Sequence, residues 1–197
     1  MQTPPDGNAP SGNPPTMPGQ DAADSATTDD TTDKQPLLLI TGGKITVNAD
    51  GDGLDSNGDL RVEGGDITVN GPSNGGNGAI DIGTENGGAG VIADGTLIAL
   101  GTSSMAENFG STSTQCAFLV TMNSFGAGET ITITDSQGTV LYTGVTVKSA
   151  NSVVFSSADL VVGETYTVTI GSNSATVTQS STVVGNSNGF GGGFGRQ

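Results

Sequence analysis

Four carboxylates, Asp50, Asp52, Asp55 and Asp59, stand within ten residues in the stretch NADGDGLDSNGD at 48–59, with only Gly, Ser, Asn and Leu between them. Carboxylates held this close repel one another, and a folded site relieves the repulsion through water, protonation or a bound cation. Hard oxygen ligands on a glycine-rich turn favour calcium. On spacing alone the stretch matches an EF-hand loop, with Asn48, Asp50 and Asp52 at the first three ligand positions, Gly53 at the sharp turn and Asp59 at the last. The flanks argue against that motif. An EF-hand needs a helix on each side, whereas LLLITGGKITV before the loop and DLRVEGGDITV after it are β-branched and Gly-broken, as strands are. A calcium-binding turn between strands is therefore expected. The alternative is a solvated acidic turn with no ion, because Asp, Asn and Gly are also ordinary turn residues.

The rest of the composition removes several other chemistries. The 197 residues include no His, no Trp and one Cys. Imidazole catalysis and His-ligated zinc are thereby excluded. Cys116 lies in the apolar run CAFLVTM, with no second Cys to pair with and no His to activate it, and reads as a small packed residue. A formal net charge of −15 disfavours nucleic acid and anionic membrane as direct partners. No apolar run approaches the length that spans a bilayer, and with Pro and Gly residues following Met1 no export signal is expected in this stretch.

The elements that must position the acidic loop come from a repeat. Residues 1–35 carry most of the prolines and almost no apolar side chains, and are expected to be a disordered tail or linker. LLLITGGKITVN at 37–48, DLRVEGGDITVN at 59–70 and AGVIADGTLIALG at 89–101 then repeat one pattern. The first two copies superpose Leu38 on Leu60, Ile40 on Val62, Ile45 on Ile67 and Val47 on Val69. A 22-residue repeat of short strands and tight turns suits one coil of a parallel β-helix, with Ile45, Ile67 and Leu97 in one internal stack. The third copy follows after 30 residues, and the extra eight are expected to loop out within 83–90. GLDSN at 53–57 aligns with AIDIG at 79–83, which puts Leu54 over Ile80 inside and Asp55 over Asp81 outside. Stacked strands lie about 4.8 Å apart, so the two carboxylates could share a calcium ion.

From about residue 114 the chain alternates apolar and polar residues in ETITITDSQGTVLYTGVTV, SVVFSS and TYTVTIGSNSATVTQ, with DSQG and GSNS as hairpin turns. The expected organisation is all-β: parallel β-helix repeats over 36–108, then an antiparallel region over 109–180 that caps them, then a disordered Gly-rich tail over 181–197. Two or three coils leave an upstream edge uncovered, so an upstream β-helix half or another chain is expected against it.

GDGLDSNG at 51–58, GGDITVNGP at 64–72, GNGAID at 76–81 and GTLIALGTSSMA at 95–106, followed by SVVFSSADLVVGETYTV, together resemble bacterial carbohydrate-binding domain-containing proteins. The likeness runs from about residue 37 through the C-terminal strands and covers the C-terminal half of the family's pattern. It implies a secreted or cell-surface, right-handed parallel β-helix related in shape to pectate lyases. It further implies bound calcium, affinity for plant cell-wall polysaccharide, acidic or cellulosic, and no catalysis. Carried over by position, the acidic residues of the motif are Asp50, Asp52, Asp55 and Asp81, with Asn57 beside them. The sequence departs from the pattern at Ile82, where a Tyr is expected, and in the inserted GTENGGAG.

Three functions compete. In the first, calcium held by stacked carboxylates bridges the protein to an acidic glycan, with Asp55, Asp81, Lys44 and Arg61 facing the sugar. No Phe, Tyr or Trp lies between Leu37 and Asn108, which disfavours stacking on neutral sugars. In the second, the domain is a calcium-stiffened surface spacer or adhesin with no sugar affinity. In the third it is a polysaccharide lyase, which requires a base; Lys44 and Arg61 are the only cations of the repeat region and suit solvated strand positions better.

Overall fold

The computed structural model describes residues 36–185. The chain is all-β. Three long strands, β1 (Leu37–Asn48), β3 (Asp59–Asn70) and β5 (Gly90–Gly101), run parallel and in that spatial order. Between them the chain makes two short strands, β2 (Leu54–Ser56) and β4 (Ile80–Ile82), which pair in parallel as a separate two-stranded sheet. The register follows the repeat: Leu38 faces Leu60, Ile40 faces Val62, and Ile45, Ile67 and Leu97 form one column. The alignment steps by 22 residues from β1 to β3, by 26 from Leu54 to Ile80 and by 30 from Ile67 to Leu97. Four of the eight extra residues therefore sit before β4 and four after it. The expectation that all eight fall within 83–90 is corrected on that point, because β4 is itself displaced by the longer turn at 71–79.

The remaining strands are β6 (Ala117–Phe125), β7 (Thr130–Thr134), β8 (Val140–Val145), β9 (Ala150–Ser156), β10 (Thr165–Ile170), β11 (Asn173–Thr178) and β12 (Val183–Val184). β9 pairs antiparallel with both β5 and β6, so the six-stranded sheet β1-β3-β5-β9-β6-β12 is mixed. A four-stranded antiparallel sheet has the order β11-β10-β7-β8, with the DSQG and GSNS turns joining neighbours. The architecture is thus one mixed, one antiparallel and one short parallel sheet, rather than a uniformly parallel stack of coils. Val183 and Val184, assigned from sequence to the Gly-rich tail, pair in parallel with Ala117 and Phe118. Residues 1–35 and 186–197, expected to be tails, lie outside the described residues.

Burial explains the two textures of the sequence. β1 and β3 bury one face, and their residues alternate. The second half of β5, the first half of β6 and β9 are covered on both faces, which selects continuous apolar runs such as Leu97–Leu100, Ala117–Val120 and Val153–Phe155. Leu97, Ala99, Ala117, Leu119 and Val154 point into a mainly aliphatic core with Leu60, Ile67, Ile80 and Ile82, to which Phe109 adds one ring. Ile98, Leu100, Phe118, Val153 and Phe155 point the other way, into a second core with Ile131, Tyr166 and Val168. The second core is aromatic: the Phe118 ring lies 5.6 Å from Phe155 and 6.3 Å from Tyr166. The buried Tyr166 hydroxyl accepts a hydrogen bond from the Val161 amide at 2.7 Å. Cys116 is half-buried against this second core, and burial pushes its thiol pKa up.

Candidate functional site: a stacked carboxylate face

The short sheet β2–β4 aims its side chains in two directions. Leu54, Ser56, Ile80 and Ile82 are buried, while Asp55 and Asp81, paired in register, face outward. Adjacent strands are about 4.8 Å apart, so the two carboxylates are neighbours along the stack. The turns that follow the two strands press together closely: a Cβ on Gly83 would sit 2.3 Å from the Asn57 carbonyl carbon, a contact with backbone that only glycine avoids.

Other acids converge here. Glu107 follows the 3-10 turn at Ser103–Met105, is half-buried, and its Oε2 accepts a hydrogen bond from the Ile82 amide at 2.8 Å. Glu85 belongs to the 3-10 turn at Thr84–Asn86. Burial pushes the Asp81 carboxyl above the usual carboxylate range, and the charges of Asp52, Asp55 and Glu85 push it further. Glu107 is also raised, chiefly by burial; the Ile82 amide opposes this, and Asp81, Glu85 and Asp52 add to it. Every charged neighbour acting on these two groups is negative.

The rest of the acidic loop is dispersed. Asp50 is exposed and pairs with Lys148 at 2.7 Å, which holds its carboxyl below the usual range; the same lysine donates to the Ala49 carbonyl at 2.5 Å. Asp52 Oδ1 accepts from the Gly78 amide at 2.7 Å and Asp59 Oδ1 from the Ala89 amide at 2.9 Å. Asn48 Oδ1 accepts from Asn70 Nδ2 at 2.7 Å. Asn57 is exposed, with its carbonyl facing Asn86 Nδ2. The six residues expected to hold a metal, Asp50, Asp52, Asp55, Asn57, Asp59 and Asp81, are thus not gathered into one cage. Asp55 and Asp81 lie together, Asp52 acts on Asp81 from nearby, and Asp50 and Asp59 bond elsewhere. Among the described residues no group of three or more acidic or cysteine side chains is arranged to hold a metal ion. The donors fit calcium in kind, being hard oxygens, but the protein alone does not enclose it.

Lys44 and Arg61 do not join Asp55 and Asp81. Both lie on the six-stranded sheet. Lys44 Nζ meets Asp66 Oδ2 at 2.5 Å, an exposed pair that raises the lysine pKa. Arg61 is exposed in the column Leu39–Arg61–Val91. Tyr142 of β8, which sequence reasoning did not connect with the repeats, lies near Thr68, Asp66 and Lys44 and packs 5.8 Å from Phe155; burial is the chief cause that pushes its pKa up. Ser73, Thr102 and Ser104 line a groove, but these hydroxyls donate to the carbonyls of Ser149, Asn77 and Gly75 and hold loops together.

Glu107, Glu85 and Lys148 are the acidic-face and loop-pairing residues that sequence reasoning missed. None belongs to the repeated pattern, and Lys148 reaches Asp50 from 98 positions away. Comparison with protein-family models, curated proteins and solved structures finds no match. None of these comparisons identifies a carbohydrate-binding family for the chain.

Proposed function

We propose that the chain is a non-catalytic, calcium-dependent module that binds an acidic, polygalacturonate-like polysaccharide at the β2–β4 face. The observation that carries this reading is the in-register stacking of Asp55 over Asp81, with only negative charges acting on the half-buried Asp81. Calcium takes six to eight oxygen ligands, roughly twice what two carboxylates supply. Water and the carboxylates of a uronate chain can complete the set, so an open acidic face suits a cation that bridges protein and glycan. β2 and β4 carry no aromatic residue, which favours an acidic glycan over cellulose. On this reading β1–β3–β5 and β2–β4 are two faces of right-handed parallel β-helix coils, in a secreted or cell-surface protein of the family that the motifs resemble.

A lyase has less support. Asp66 keeps Lys44 protonated, the opposite of what a general base needs, and Lys44 lies on a different sheet from the acidic face. The spacer reading is favoured by one observation, the use of Asp50 and Asp59 as internal hydrogen-bond partners. Retention on insoluble polygalacturonate separates the readings. The binding module is retained in millimolar calcium, released by chelator, and lost in Asp55→Ala and Asp81→Ala with the strand spectrum unchanged. A melting temperature that rises with calcium without retention would leave the spacer. Indifference to calcium in both assays would sink the ion site.

A further inference from the structure

Among the described residues the parallel stack ends at β1, and that end is uncovered. The inward residues of β3, Leu60, Val62, Ile67 and Val69, are 0% exposed, whereas at the matching positions of β1 Ile40 is buried but Leu38, Ile45 and Val47 are only half-buried. Leu37 and Leu39, on the other face of β1, are 52% and 45% exposed. Natural edges are guarded by charges, prolines or short length. β1 has 12 residues, no carboxylate, no proline, and one lysine already paired with Asp66.

The backbone tells which groups are free. In a parallel ladder alternate residues turn both backbone groups toward one neighbour. The Asp59 amide donates to the Pro36 carbonyl, and the Ala49 amide donates to the Asn70 carbonyl. Residues 36, 38 and 40, and 45, 47 and 49, therefore bond to β3, with the change of parity at the register shift around Gly42 and Gly43. Residues 37, 39, 41, 44, 46 and 48 present their N–H and C=O groups to the open edge.

We propose that this edge pairs antiparallel with β1 of a second copy, about a twofold axis between Gly42 and Gly43. That register sets every free backbone group against a free one, in the pairs Leu37–Asn48, Leu39–Thr46 and Thr41–Lys44. The same register sets Leu38 against Val47 and Ile40 against Ile45, so the two aliphatic cores become continuous across the axis. No like charges face each other in these pairs. A strand shifted by one residue would oppose bonded groups to free ones. A twofold contact uses β1 of both copies, and among the described residues the far edge of the same sheet, β12, is two residues long, so the contact closes as a dimer rather than growing into a fibre. The net charge of −15 on each copy opposes association, which is expected to strengthen with salt.

Light scattering and sedimentation of the full chain at moderate salt test this. The wild type is expected at twice the chain mass. The double substitution Leu39→Lys/Thr46→Lys puts like charges opposite each other and is expected to give the single mass with an unchanged circular-dichroism spectrum. Leu39→Glu/Thr46→Lys puts opposite charges in the same pairs and is expected to restore the dimer. A wild type at single mass across micromolar to millimolar concentration overturns the proposal, as does a dimer that survives Leu39→Lys/Thr46→Lys. A monomeric Leu39→Glu/Thr46→Lys overturns the register.

Discussion

Asp135, in a hairpin turn of the antiparallel region, and Asp81, in the middle of β4 in the parallel region, are both carboxylates at the surface of a sheet, and the protein treats them in opposite ways. Asp135 opens the β7–β8 hairpin turn, and its Oδ1 accepts from the Gln137 amide at 2.9 Å and the Thr139 amide at 2.8 Å. Those backbone donors hold its pKa below the usual range. Asp81 has burial and like charges acting on it, and its pKa is raised. A hairpin brings its own amides to the carboxylate within a few residues. A parallel repeat instead places each residue over its counterpart in the next turn of chain, so acids accumulate in a column that the backbone does not neutralise. An unrelieved column of this kind is where an external cation gains most.

The two regions also differ in how they are packed, and the largest predicted effects break that difference. Phe155→Ala removes the ring between Phe118 and Tyr142 and is expected to cost about 3–5 kcal/mol of unfolding free energy in urea titration. Ile67→Ala, at a fully buried position between Ile45 and Leu97, is expected to cost about 2–5 kcal/mol. Because β5 and β9 contribute to both cores, each variant should still unfold in one cooperative transition; two separate transitions would show that the regions are independent. Gly83→Ala is next, at about 1–3 kcal/mol, since its Cβ meets backbone that cannot rotate away. It should weaken calcium-dependent glycan retention as well, whereas Gly128→Ala, on an open turn, should leave retention intact.

The pH dependence sharpens the contrast with a sign. Asp81 and Glu107 have raised pKa values in the fold, so their contribution to stability is fully present below the ordinary carboxylate range and is lost as pH rises through the raised values. Asp81→Asn and Glu107→Gln, which keep an acceptor oxygen, should flatten the fall in melting temperature over that window, and calcium should do the same for the wild type. Asp135 is lowered, so its contribution is present above the ordinary range and lost as pH falls; Asp135→Asn should flatten the acid limb instead. A melting profile in which all three variants act with one sign would erase the distinction between the two regions. The smallest effect is expected at Lys44→Ala: the Lys44–Asp66 pair is exposed on both sides, and the melting temperature should not move measurably at physiological salt.

The repeat makes the parallel register legible in the order of residues alone. Ile45, Ile67 and Leu97 share a column, and Asp55 lies over Asp81, because a period in sequence becomes a period in space when strands stack. Strand alternation and the DSQG and GSNS turns are legible for the same reason: they are set by neighbours a few residues apart. The division of the eight inserted residues on the two sides of β4 is less so, since either turn could absorb them. The acidic loop looks like one site on its spacing, yet Asp50 turns to Lys148 and Asp59 to the Ala89 amide.

Residue order by itself determined an all-β chain, its repeated parallel strands, its hairpins and the acidic column, all through short-range periodicity. Only the tertiary structure decided that β9 inserts between β5 and β6, that two cores share one sheet, and that Glu107 joins Asp81 while Lys148 withdraws Asp50. Those outcomes depend on which faces of separate sheets are left to be covered, and no window of sequence contains both faces at once.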